Sequence, residues 1–141
     1  MQKSELLKAL QNAISDAEYQ ALAARRVSHI SAFNRRIMLE IRERTDAPSD
    51  DVDAKQVQKL ENILTAYLHI HFSEHPESWK WIILACIYLS FIQNLPLHPQ
   101  EMVHYTTDIQ DEKPLFFCPM KSLEADTACS FCICQKTSKN F

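Results

Sequence analysis

The sequence predicts a mainly α protein, a bundle of about four helices followed by an irregular C-terminal segment that a bound metal orders, with a short β-hairpin allowed for. Three observations predict it. Apolar residues recur at helical spacing from Leu6 to Ile92. None of the 141 residues is glycine, so every position needing positive φ must use Asn, Asp or another residue at a steric cost, which disfavours tight hairpins. Four of the five cysteines stand between positions 118 and 134. With 46% apolar residues and a net charge of -3, the chain has the composition of a protein with a real core.

The elements follow in order. Leu6, Leu7, Leu10 and Ile14 share a helical face after Ser4, which the pattern places at the N-cap. Ser15 and Glu18 form a capping-box pair that either opens a second helix or lies inside one long one. Ile30, Phe33, Ile37, Met38 and Ile41 stripe the next helix, which ends near Arg44 before the acidic loop TDAPSDDVD. Asp53 and Gln56 make another capping-box-like pair ahead of Val57, Leu60, Ile63, Leu64, Tyr67 and Leu68. Pro76 suits position N1 of a central helix whose Trp79, Ile82, Ile83, Cys86, Ile87, Leu89 and Phe91 are apolar nearly all round; Cys86 reads there as a core residue. That helix should stop at Asn94, because Pro96 and Pro99 follow. VHYTTDIQ and LFFCPM, flanking DEKP, suit a short hairpin. The division expected is a helical body over 1–97 and a Cys-rich segment over 98–141 packed on it, one domain overall.

Composition excludes several function classes. Without glycine there is no P-loop, no dinucleotide-binding glycine motif and no Gly-x-Ser-x-Gly elbow. Eight basic residues face five acidic ones up to position 45, against seven and thirteen beyond it. Arg25, Arg26, Arg35, Arg36, Arg42 and Arg44 either greet an anionic partner or form solvated helix faces. No aromatic or motif signature of a nucleic-acid module accompanies them, so nucleic acid is not expected. MQKSELLKALQNAIS is amphipathic and unlike a secretory signal, and the apolar run from Trp81 to Leu89 falls short of the roughly 20 residues of a spanning helix. A cytoplasmic protein without a membrane segment is expected, and that compartment disfavours disulfides.

HFSEH, residues 71–75, matches the His-x-x-Glu-His pattern in which two histidines bind zinc and a glutamate acts as base. This would be a zinc hydrolase using His71, Glu74 and His75, but Pro76 follows directly and puts the motif at a helix end. A milder reading keeps His71 and His75, with His69 nearby, as accessory ligands or caps. Glu101, Asp108, Asp111 and Glu124 are scattered carboxylates that nothing pairs, so no catalytic residue is assigned.

The cysteines carry the chemistry. Cys129 and Cys132 are spaced Cys-x-x-Cys, which lets two thiolates at a turn reach one ion at about 2.3 Å, with two remote ligands completing a tetrahedron. Cys118 supplies a third. The fourth is Cys134 or His98, because Cys132 and Cys134 can bind together only if the backbone between them bends suitably. Zinc fits these ligands, and an iron-sulfur cluster is the alternative although the ferredoxin spacings are absent. Transient disulfide chemistry of the Cys-x-x-Cys pair lacks the βαβ context it usually has.

These residues also carry a resemblance. His98-Pro99, then Phe117 before Cys118-Pro119-Met120-Lys121, then Cys129-Ser130-Phe131-Cys132-Ile133, resemble the C-terminal pattern of an uncharacterised archaeal family, mostly of methanogens, domain of unknown function family 2115. The resemblance covers about 40 residues. It departs at Gln100, Glu101 and Met102, where the family has a glycine-rich turn, and at Cys134, where the family has a small residue. It implies an archaeal cytoplasm and a helical body, and no activity. The function expected is therefore a small cytoplasmic metal-binding accessory or interaction protein with a structural zinc site, working with a protein partner or as a homodimer. An iron-sulfur or thiol-based redox factor is the alternative, and a binding role is favoured over an enzyme.

Overall fold

The computed structural model describes residues 1–46, 48–99, 105–110, 112–118, 121–122, 124 and 127–136. Five α-helices form the body where about four were expected: α1 (Lys3–Ala13), α2 (Asp16–Ala23), α3 (Ala32–Glu43), α4 (Ala54–His71) and α5 (Trp79–Tyr88). The additional helix comes from the Ser15 capping box. Ser15 Oγ accepts from Glu18 N at 3.1 Å, and Glu18 Oε1 accepts from Ser15 N at 3.0 Å, so α1 ends at Ala13 and α2 starts anew. Ile14, between them, is buried.

α1 begins two residues earlier than the Ser4 cap predicts. Gln2 is the N-cap, and Ser4 lies in the first turn with its hydroxyl donating to Gln2 Oε1. The cause is tertiary: Lys3 N donates to Asp50 O and Val52 N to Met1 O, which pins the chain start to the loop before α4. Ser31 caps α3 by accepting from Asn34 N at 3.0 Å, and Asp53 caps α4 by accepting from Lys55 N at 2.9 Å. No hydrogen bond from Gln56 completes a box there; only its backbone N–H, donating to Asp53 O, takes part.

The apolar stripes meet around α5. Leu6, Leu7 and Leu10 of α1, Leu22 of α2, Ile37, Met38 and Ile41 of α3, and Val57, Leu60 and Leu64 of α4 enclose Trp81, Leu84, Ala85, Ile87 and Tyr88. Each fully buried aliphatic side chain here is worth about 1.5–3 kcal/mol relative to exposure. Tyr67, placed in the α4 stripe by its spacing, is exposed instead: the buried line runs through Leu60, Leu64 and Leu68, and Tyr67 lies off it, packed on His71 and Phe72. Pro76 opens a 3-10 turn (Pro76–Ser78) that leads into α5, so it stands one element earlier than expected. α5 continues into a π-helical turn (Leu89–Gln93) and stops at Asn94, whose φ of 54° does the work usually left to glycine. Arg25, His29 and Glu112 also hold positive φ, at a cost of about 1 kcal/mol each.

The hairpin forms as β1 (Thr106–Gln110) and β2 (Lys113–Cys118), antiparallel, with Ile109 opposite Pro114 and Thr107 opposite Phe116. The tail is more regular than expected. A third strand, β3 (Gln135–Lys136), pairs parallel with β2 at Phe117 and Cys118, giving sheet order β1-β2-β3. Pro114 sits in the middle strand without breaking a ladder because β3 reaches only the far end of β2. Among the described residues no helix is long and apolar enough to cross a membrane.

Candidate metal and thiol centre

Three tail elements carry the cysteines. Cys118 ends β2, Cys129 lies in a 3-10 turn (Ala128–Phe131), and Cys132 and Cys134 follow on the way to β3. The turn is anchored to the helical body by Phe131, whose ring lies 5.9 Å from that of Phe91, and by Ala128 packed against the same core. Parallel pairing of β3 with β2 then returns Cys134 to the neighbourhood of Cys118. Lys121 ties the segment together: its Nζ donates to Cys132 O at 3.1 Å and to Cys134 O, and its backbone N donates to Cys118 O at 3.3 Å.

The backbone bends at Cys132 and Ile133. Hydrogen bonding from the Cys134 thiol, from the backbone at Cys134 and from that at Leu97, together with the Lys121 charge, favours the charged form of the Cys132 thiol. These hold the Cys132 thiol well below its ordinary range even though burial opposes them. Cys134 is pushed upward, first by hydrogen bonding with Cys132, then by burial, with the Cys132 and Cys118 charges adding to the effect. Cys86 enters the same neighbourhood from α5: burial, then the Cys132 charge, pushes it up to about 12. It packs as a core residue, as its helix position predicts, while facing the tail. All five thiols are free.

Cys129 is tied to Cys132 through the backbone. Cys132 N donates to Cys129 O at 3.2 Å, and His98, exposed, follows Leu97. An ion bound at about 2.3 Å by each sulfur would hold the sulfurs about 3.8 Å apart. The four sulfurs are not drawn together as a ligand group; the described group whose ligand atoms all lie within 4.8 Å of one another is His29, His75 and Glu77. Glu101, Asp111, Gln100, Met102, Pro119 and Met120, named in the sequence reading, lie outside the described residues.

The HFSEH motif does not occupy one helix face. α4 ends at His71, which stacks on Tyr67 at 4.4 Å, while His75 lies beyond the loop as N-cap of the 3-10 turn. Trp79 Nε1 donates to Phe72 O at 2.8 Å and the Trp79 ring meets His69 edge-on, which closes this loop onto α4. His75 stacks on His29, a partner 46 positions away that sequence spacing gives no means of finding.

The arginines are largely spoken for. Arg35 donates to Leu22 O and Ala23 O at the end of α2, and Arg42 to Ile14 O and Asp16. Arg44 donates to both carboxylate oxygens of Asp46 at 3.0 Å, to Tyr88 Oη at 3.1 Å and to Gln93 Oε1 at 3.2 Å. Its charge is held firmly, above all by Asp46. This network borders a cleft of about 560 Å³ that is also lined by Arg36, Glu40 and Glu43. Read from sequence, Arg44 is a surface charge; only the tertiary structure gives it the buried Tyr88 hydroxyl.

A mainly α body with a cysteine-bearing sheet and turn at its C-terminal end defines the class. The chain belongs to the family described as an uncharacterised protein conserved in archaea, domain of unknown function family 2115, whose model matches residues 1–137. Comparison with curated proteins and with solved structures returns no match.

Proposed function

We propose that this protein is a metal-binding accessory or interaction protein whose C-terminal segment is ordered by one structural ion of the zinc type. Cys118, Cys129 and Cys132 are the ligands, with Cys134 or His98 as the fourth. The observation that carries the reading is the gathering of Cys118, Cys132 and Cys134 by the β2–β3 pairing and by Lys121, which donates to the carbonyl oxygen of each of the three. Cys118 and Cys134 act on one another electrostatically in the same place, and their soft donors suit zinc. A closed four-ligand site leaves no position for substrate, so its role is to shape a surface for a protein partner, which includes a second copy of this chain. Cytoplasmic residence fits free thiols.

The test is metal analysis of protein purified anaerobically without a His tag, beside the Cys129→Ser/Cys132→Ser double variant. About one zinc per chain is expected, lost in the double variant together with thermal stability. Unchanged metal content and unchanged melting would refute the site. Broad absorbance near roughly 400 nm would replace zinc by an iron-sulfur cluster and favour the redox alternative.

A further inference from the structure

The loop between α2 and α3 meets the loop between α4 and α5 through three side chains that belong to no part of the thiol centre. The rings of His29 and His75 stack with centroids 4.3 Å apart and an interplanar angle of 22°. His29 Nε2 lies 3.4 Å from Glu77 Oε1, and His75 Nδ1 lies 3.4 Å from the same oxygen. All three ligand atoms fall within 4.8 Å of one another. A tetrahedral zinc with bonds of about 2.0–2.1 Å holds its ligand atoms about 3.3–3.4 Å apart along each edge, so two of the three edges already have the length the ion requires. The backbone supports the placement: His29 is one of the non-glycine residues held at positive φ (57°), and Ser78 Oγ and N donate to His75 O, fixing the chain that carries His75 and Glu77.

We infer that His29, His75 and Glu77 form a second divalent-metal site, a two-histidine, one-carboxylate set for zinc, clamping the α2–α3 loop to the α4–α5 loop. Two imidazole nitrogens and one carboxylate oxygen are borderline donors that suit zinc rather than calcium or magnesium. The site is open to solvent, since all three side chains are about half exposed. Three protein ligands leave a fourth position for water or for an oxygen of an incoming molecule. Of the HFSEH residues only His75 belongs to this set, and its partners are His29 and Glu77 in place of His71 and Glu74.

The experiment is a titration of the tag-free full-length chain with zinc ion alone, followed by NMR of the imidazole nitrogens. The His29 and His75 resonances should move together while those of His69 and His71 stay in place. Glu77→Gln should weaken this transition at least tenfold. His29→Gly, which removes the ligand and suits the positive-φ backbone, should abolish it with the fold retained by circular dichroism. His29 and His75 signals that stay fixed up to millimolar zinc, or that respond equally in Glu77→Gln, would overturn the site. Cobalt substitution separates it from the thiol centre. The nitrogen–oxygen set contributes no sulfur-to-cobalt charge-transfer band, so His29→Gly should remove cobalt absorbance without altering that band.

Discussion

Replacing Arg44 by Met isolates a charged side chain that the helical body draws inward. Arg44 is only 16% exposed along its side chain, whereas its partner Asp46 is 76% exposed. Met keeps the aliphatic stem and its packing but removes every donor. Tyr88, fully buried, then loses the donor to its hydroxyl, and Gln93 loses one as well. A buried polar group left without its partner costs about 1–3 kcal/mol, while the exposed Asp46 arm is screened by solvent and contributes little. Arg44→Met should therefore destabilise by about 2–3 kcal/mol, and Asp46→Ala far less. In thermal unfolding Arg44→Met should lower the midpoint by roughly 10 °C, with a much smaller fall for Asp46→Ala. Tyr88→Phe should cost about 1 kcal/mol alone and almost nothing in the Arg44→Met background, because the hydroxyl's donor is already gone. Equal losses for Arg44→Met and Asp46→Ala, or additive losses in the Tyr88 cycle, would refute an inward-acting Arg44.

Three further outcomes are expected. Ser15→Ala removes the capping box that separates α1 from α2 and should cost about 1 kcal/mol in chemical denaturation, with Ser15→Asp close to wild type. Phe131→Ala releases the anchor between the tail turn and Phe91, so hydrogen exchange should rise in residues 127–136 and stay unchanged in α1 and α3. Stability should fall on acidification. Asp46 and Asp50 are lowered by the side-chain hydrogen bonds of Arg44 and Lys3, and Glu18, although burial raises it, is brought lower on balance by Lys80 and Ser15. Carboxyls depressed in the folded state add stability that is complete above their unfolded values near 4 and is lost as pH falls through the folded ones. A urea midpoint unchanged between pH 6 and pH 3 would contradict this assignment.

Much of the helical body was legible because its signals are local. The stripe over Ile37, Met38 and Ile41, the Ser15–Glu18 box and the stop at Asn94 each depend on residues within a few positions, and each stands where its chemistry places it. What failed depended on distant parts of the chain. Ser4 loses the cap to Gln2 because Asp50 and Val52 hold the chain start, and Tyr67 leaves the buried line of Leu60, Leu64 and Leu68 to pack on His71 and Phe72. At the candidate site, the Cys-x-x-Cys turn and the proximity of Cys134 follow from the chain, whereas the parallel return of β3 does not: two residues are too short to show a strand period. His29 lies in a loop with no periodicity at all, so nothing in its neighbours points to His75.

The position of Cys86 makes the protein its own gauge of tail docking. This thiol of the central helix packs against the core within electrostatic reach of Cys132, beside the segment that carries the other four cysteines. Its alkylation rate therefore measures how often the tail lifts away. A single labelling time course, with Cys86 followed by mass, would distinguish a tail that is clasped from one that is merely laid against the helices.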